Sequence, residues 1–219
     1  MAMGANQETW NIHRKNHFGF CNIDKYHEQG YKGKDIVLLD LENEFSDNNH
    51  GAKVKKVYMD IAPEATFIFG TPTGKTDGTR ITSYGLNVDG VVYDFEKFVV
   101  DNNVKLINHS RAGGTNAIGR FLKEFIVDKH DVIFTISSGN DYSRVRKGYS
   151  VAGLIITALN FIDGKPVLAG YSNTGEEVDF CGFAHMYSGT SFAAPFVAGE
   201  ITLLLNRYGN FNQQEGIEI

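Results

Sequence analysis

The chain has 219 residues, a formal net charge of -5, and 42% hydrophobic, 21% charged and 12% aromatic residues. That length holds about one domain on the usual scale of roughly 100 to 200 residues, and the composition argues against disorder and fibrous repeats. With 21 basic against 26 acidic side chains, nothing favours a phosphate backbone or an anionic membrane surface, and no apolar run nears the roughly 20 residues of a membrane span. We therefore expect one globular unit over residues 1–219, with no nucleic-acid or membrane partner. Residues 1–12 contain Gln7, Glu8 and Trp10 but no basic start followed by an apolar stretch, which is not a secretory signal and predicts a cytoplasmic protein. The alternative is a secreted protein whose leader has been removed. Cys21 and Cys181 are predicted to be free, buried thiols.

In chain order, short apolar runs rich in β-branched and aromatic residues alternate with segments of helical spacing. Strands are predicted at 35–40, 65–69, 104–107, 132–136 and 153–157. Helices are predicted at 52–59, 91–100, 117–127 and 191–207, the second and third from apolar residues spaced by three and four, such as Phe95 and Phe98, or Phe121 and Phe125. The Gly- and Thr-rich stretch 70–85 reads as a surface loop and 209–219 as a tail. This alternation predicts an α/β fold of three layers, a mainly parallel central sheet flanked by helices.

The candidate nucleophile lies in Ser188-Gly-Thr-Ser191-Phe-Ala-Ala-Pro195, a small-residue turn opening an apolar helix. Free backbone N–H groups and a positive field at a helix N-terminus suit a serine that generates an oxyanion, although helix capping by Thr190 and Ser191 would explain the same residues. The turn approaches the elbow G-x-S-x-G, but in that class the acid and histidine follow the serine, and residues 192–219 contain neither Asp nor His. A base must lie upstream, among His13, His17, His27, His50, His109, His130 and His185. His50 is best placed, ahead of a predicted helix and ten residues after Asp40, which ends a predicted strand; catalytic groups of open parallel sheets gather at those strand ends.

These segments together resemble the subtilases, the subtilisin-like serine peptidases. Gly33-Lys-Asp-Ile-Val-Leu-Leu-Asp40 is similar to the strand ending in the catalytic aspartate, and His50-Gly51-Ala-Lys-Val54 to the histidine motif. Ser137-Ser-Gly-Asn140 is similar to the segment with the oxyanion asparagine, and Ser188 to Pro195 with Val197-Ala-Gly199 to the serine motif. Ile107-Asn-His-Ser110 resembles the substrate-binding strand and Tyr171-Ser-Asn-Thr-Gly-Glu-Glu-Val-Asp179 a segment ahead of the serine. The resemblance spans residues 22–208. It implies a subtilisin-like fold and a serine endopeptidase in which Ser191 attacks, His50 transfers the proton, Asp40 orients His50 and Asn140 donates to the oxyanion. It further implies substrate binding by Asn108, His109, Ser110, Arg111, Ala112, Gly113, Ser138 and Gly139, a peptide substrate pairing as an added strand along 108–113, and no cofactor.

The family usually has a small hydroxyl residue and a glycine after the aspartate; here Leu41 and Glu42 follow, placing a second carboxylate beside the triad. Ala52 and Lys53 replace the third and fourth residues of the histidine motif, and Arg111 stands where a leucine is usual. Lys53, Lys55 and Lys56 form a solvated helix face. The short spacing from His50 to Ile61 leaves no room for a calcium loop, so no metal is expected there. Only about 20 residues precede the match, so the expectation is that an inhibitory propeptide was removed or that this compact member folds without one; an inhibitory propeptide or regulatory partner in trans is the partner to look for. Gly70-Thr-Pro-Thr-Gly-Lys-Thr76 is one residue short of a phosphate loop, and His13 and His17, four apart without a third ligand, are predicted to be surface residues. Two readings stand: an endopeptidase acting on a restricted protein or leader peptide, and a catalytically inactive peptidase fold used as a binding or regulatory module.

Overall fold

The computed structural model describes residues 7–42, 49–76, 81–111, 116–150, 152–184 and 187–217. Continuous apolar runs place six parallel strands in one sheet, as expected of strands covered on both faces. In spatial order these are β10 (Phe180–Phe183), β8 (Leu154–Ile162), β7 (Ile133–Ser137), β6 (Val104–His109), β1 (Val37–Asp40) and β2 (Thr66–Phe69), with β9 (Lys165–Leu168) antiparallel to β8. The chain leaves β1 toward β2 on one side, and continues from β6 through β7 to β8 on the other. The strand order therefore reverses between β1 and β6, where Asp40 pairs with Asn108. Side chains at such a switch point, beyond the strands' carboxyl ends, are the ones an α/β sheet exposes to a ligand.

One face of the sheet is covered by α3 (His50–Ile61) and α7 (Thr190–Tyr208), whose buried residues form one core with Leu38, Leu106, Ile133 and Ile156. Against the other face pack α4 (Phe95–Asp101), α5 (Asn116–Leu122) and the π turn at Lys123–Val127, around Leu39, Ile107 and Phe134. The other helices among the described residues are α1 (Gln7–Phe20) and the short α2 (Ile23–Glu28), α6 (Asp128–His130) and α8 (Gln213–Ile217). Two glycines allow the approach that positions the site. A Cβ on Gly182 of β10 would lie 2.6 Å from the carbonyl oxygen of Ala193, and one on Gly199 of α7 would lie 2.8 Å from the Cβ of Ile61. The same α3–α7 contact contains a buried 2.9 Å hydrogen bond between the Tyr58 and Thr202 hydroxyls. These contacts pack the last turn of α3 against the middle of α7 and the first turns of α7 against β10.

Several sequence expectations are corrected. The stretch read as a surface loop forms β3 (Thr71–Thr76) and β4 (Ile81–Val88), which with β5 (Val91–Asp94) make an antiparallel three-stranded sheet. Gly70-Thr-Pro-Thr-Gly-Lys-Thr76 is thus mostly strand. The predicted helix 91–100 begins as β5 and becomes helical only at Phe95, where the Asp94 side chain accepts the Lys97 backbone N–H as a cap. The predicted tail contains α8. His17 is buried and its ring stacks on Phe183 at 4.3 Å, because α1, absent from the sequence prediction, folds over β8 and β10. Cys21 and Cys181 are both free, as predicted, but Cys181 is exposed and Cys21 half-buried.

On the flank of α7 away from α3, a cavity of about 270 Å³ is lined by Cys21, Tyr26, Leu154, Phe180, Glu200 and Phe211. Burial pushes the Glu200 carboxyl up to about 7, a rise opposed by its hydrogen bond with Cys21. Folding therefore favours protonated Glu200, and this contribution is full below the unfolded value near 4.5 and lost as pH rises through about 7. Glu200→Gln is expected to raise the Tm relative to the unsubstituted protein at pH 8 and to leave it nearly unchanged at pH 4, as read by thermal melts at the two pH values.

Candidate active site

Beyond the carboxyl ends of β1 and β6, the N-termini of α3 and α7 meet. Gly189 precedes α7 with φ 137°, a backbone conformation that L side chains rarely adopt, and a Cβ there would lie 3.2 Å from Ser191 Oγ and 3.6 Å from Asn140 Nδ2. Glycine thus keeps open the space shared by the serine oxygen and the asparagine amide. Ser191 sits in the first turn of α7, and its hydroxyl donates to His50 Nε2 at 2.9 Å. His50, the first residue of α3, follows Asn49 in the left-handed conformation, and its ring lies 5.1 Å from that of Phe192.

The other imidazole nitrogen overturns one sequence expectation. His50 Nδ1 donates to the carboxylate of Glu42, 2.9 Å from each oxygen. Asp40, which the motif assigned to this position, makes no hydrogen bond to His50. Its Oδ1 accepts from Asn108 Nδ2 at 2.6 Å, and its Oδ2 is buried without a partner. Asp40 is the last residue of β1 and lies between β2 and β6, in register with Phe69 and Asn108. Leu41 and Glu42 lie past the end of β1. Glu42, two residues farther out and one methylene longer, is the carboxylate that reaches the imidazole.

Electrostatics separate the two acids. Burial raises the Asp40 carboxyl well above the usual range, the Asn108 hydrogen bond opposes this, and the nearby Glu42 charge adds to the rise. Asp40, whose neutral form burial favours, sits behind a Glu42 that is 4% exposed and that accepts from His50 and from Arg111 Nε, the latter at 3.4 Å. Asn108 also donates to Ser110 Oγ at 2.8 Å and accepts from Thr135 Oγ1 at 2.9 Å, closing a buried polar network. Burial lowers His109 to about 4, leaving it neutral; the Glu42 charge opposes that shift and Arg111 adds to it.

Asn140 is oriented by α7. Its Oδ1 accepts the Thr190 backbone N–H at 2.8 Å and the Thr190 hydroxyl at 3.0 Å, which directs Nδ2 toward the space beside Ser191. The Thr190 hydroxyl in turn accepts the Gly139 N–H at 3.1 Å.

The substrate-binding expectation is corrected in part. Asn108 and His109 lie within β6, between two partner strands, and the Asn108 carbonyl accepts the Leu41 N–H. Asn108 and Ser110 are buried. The N–H groups of Ser138 and Gly139 donate to Ile156 O and Thr190 Oγ1, while their carbonyls accept from Asn173. Asn108 and His109 are thus held inside the central sheet, while the backbone groups of Ser138 and Gly139 are taken by Ile156, Thr190 and Asn173. Arg111 is exposed, and Ala112 and Gly113 lie outside the described residues, as does His185.

The model of the subtilase family matches residues 45–217. The chain belongs to the subtilase family. The match begins after Asp40 and Glu42, so it does not bear on which acid serves the histidine. No curated protein sequence matches the chain significantly. Among solved structures, the prenylagaramide maturation protease PagA superposes with a TM-score of 0.60 at 19% identity, over 90% of this chain and 85% of that one. A protease of Pseudoalteromonas arctica gives 0.64 at 15% identity, over 93% and 88%. The PatG macrocyclase in complex with peptide gives 0.56 at 12% identity, over 90% and 85%. The three-layer fold is that of the subtilisin-like proteins, and this subtilase is a serine-type peptidase.

Proposed function

We propose that this subtilase is an endopeptidase working through Glu42, His50 and Ser191, with Asn140 and the Ser191 backbone N–H as oxyanion donors. The observation that carries the reading is the continuous chain of 2.9 Å hydrogen bonds from Glu42 through His50 to Ser191 Oγ. Ser191 Oγ attacks the scissile carbonyl as its proton passes to His50 Nε2. The imidazolium formed is stabilised by Glu42, whose contact with Nδ1 also fixes the tautomer that leaves Nε2 free to accept. His50 then gives the proton to the departing amine, an acyl ester remains on Ser191, and water repeats the sequence to release the acid.

A restricted protein or leader peptide is the proposed substrate. Support comes from the fold shared with a maturation protease and a peptide-bound macrocyclase, and from Arg111, an exposed cation at the end of the expected substrate strand. The intact set of Glu42, His50, Ser191 and Asn140 favours an enzyme over an inactive binding module.

A fluorophosphonate probe tests this reading: Ser191 Oγ forms a bond to phosphorus, the P–F bond breaks, fluoride leaves and His50 takes the serine proton. Peptide mass spectrometry is expected to find one adduct, on Ser191, absent from heat-denatured protein; unlabelled folded protein would favour the binding module. Asn140→Ala is expected to slow labelling by about 10²- to 10³-fold, the usual loss for one oxyanion donor, with the Tm little changed.

A further inference from the structure

The oxyanion donor stands on a loop whose shape β7 alone does not determine. After Ser137 the chain leaves the sheet through Gly139 at φ 101° and Tyr142 at φ 50°, the latter a left-handed conformation costly for a tyrosine. Such a turn persists only where surrounding contacts over-determine it. Tyr142 donates its N–H to the Tyr171 carbonyl, and the residue that makes more of the hydrogen bonds to this loop than any other is the buried Asn173, 6% exposed, from the segment joining β9 to β10.

Asn173 brackets Asn140 on both sides. Its Oδ1 accepts the backbone N–H groups of Asp141 at 2.9 Å and Ser143 at 3.0 Å, and the Ser143 hydroxyl at 3.2 Å. Its Nδ2 donates to the carbonyl of Ser138 at 3.0 Å, and its own backbone N–H donates to the carbonyl of Gly139. The residue is itself pinned, because its carbonyl accepts the buried hydroxyls of Ser138 at 3.1 Å and Thr157 at 2.8 Å. An amide is suited to this place, since it presents a donor and an acceptor about 2 Å apart to a backbone that offers both.

We propose that Asn173 is a positioning residue for catalysis, holding the loop so that the Asn140 amide meets the developing oxyanion. Asn173 touches neither the substrate nor the reacting atoms; it acts through Asn140. A donor displaced by a fraction of an ångström loses most of its differential stabilisation of the transition state. The inference deepens the peptidase reading and rests on it.

The test uses the fluorophosphonate probe on the full chain, because the phosphoryl oxygen occupies the oxyanion site during attack and needs no natural substrate. Asn173→Ala is expected to lower the inactivation rate constant at saturating probe by at least tenfold, with the probe's dissociation constant unchanged. In an Asn140→Ala background the same substitution is expected to change the rate less than twofold, because the donor it would position is gone. Thr157→Val, which removes a bond to the Asn173 carbonyl but leaves the amide contacts intact, is expected to lower the Tm without slowing labelling. Where Asn173→Ala does not fold, Asn173→Ser, which is uncharged and sets no acceptor against the Ser138 carbonyl, enters the same cycle. Equal rate losses with and without Asn140 would overturn the proposal and leave Asn173 a structural brace. Absence of labelling in the unsubstituted protein, or labelling indifferent to Asn140→Ala, would instead overturn the peptidase reading and this inference with it.

Discussion

Ser191→Ala is expected to lower kcat/KM toward a fluorogenic peptide selected from a library by about 10⁶-fold, His50→Ala by a similar factor, and the double variant no further. The reason lies in the 2.9 Å Ser191–His50 contact. The hydroxyl is a weak nucleophile at neutral pH, and the imidazole without its serine has no group to activate, so the two act as a unit. Additive losses would show two independent effects and reject a triad. Residual activity above the water rate is expected in all three variants, because Asn140 and the first N–H groups of α7 still bind an oxyanion.

Glu42→Gln is expected to lower kcat by about 10⁴-fold, while Asp40→Asn leaves kcat within about threefold at pH 7. An amide at position 42 can turn its donor toward Nδ1, hold the wrong tautomer and leave Nε2 protonated against Ser191; it also withdraws the charge that stabilises the imidazolium. Burial favours the neutral form of Asp40, and that form matches asparagine in shape and charge. The sign at Asp40 follows from its raised carboxyl. Its neutral form is favoured by folding, so its contribution to stability is full below about pH 4 and lost as pH rises. Asp40→Asn should accordingly raise the Tm at pH 7 more than at pH 4. Steady-state kinetics and melts on the two variants decide the matter: a large loss at Asp40 with a small one at Glu42 would restore the assignment drawn from the motif.

The peptidase character is local, and so it is legible in the linear chain. A nucleophile turn at a helix start, a histidine opening another helix and a Ser-Gly-Asn turn after a strand each depend on a few consecutive residues, and the parallel sheet shows in its unbroken apolar strands. The three-stranded antiparallel sheet was not legible, because β3 holds Pro72, Gly74 and Lys75, residue types depleted in strands, and gains its strand character only by pairing with β4. His17 resembled a surface residue because nothing near it in the chain announces the Phe183 ring on which it stacks.

The amino-acid sequence by itself determined the layered α/β fold and the pairing of Ser191 with His50, since periodicity and short motifs encode both. Only the tertiary structure decided which acid serves His50. Asp40 ends β1 and Glu42 lies two residues beyond it, and the motif that points to Asp40 does not register the hydrogen bonds that separate the two. The choice is made by Asn108, 68 residues away, which occupies Asp40 across the switch point, and by the start of α3, which sets the imidazole level with Glu42. Asn173 became recognisable for the same reason. Its partners lie about 30 residues earlier in the chain, and a hydrogen bond between distant segments exists only after the core has brought them together.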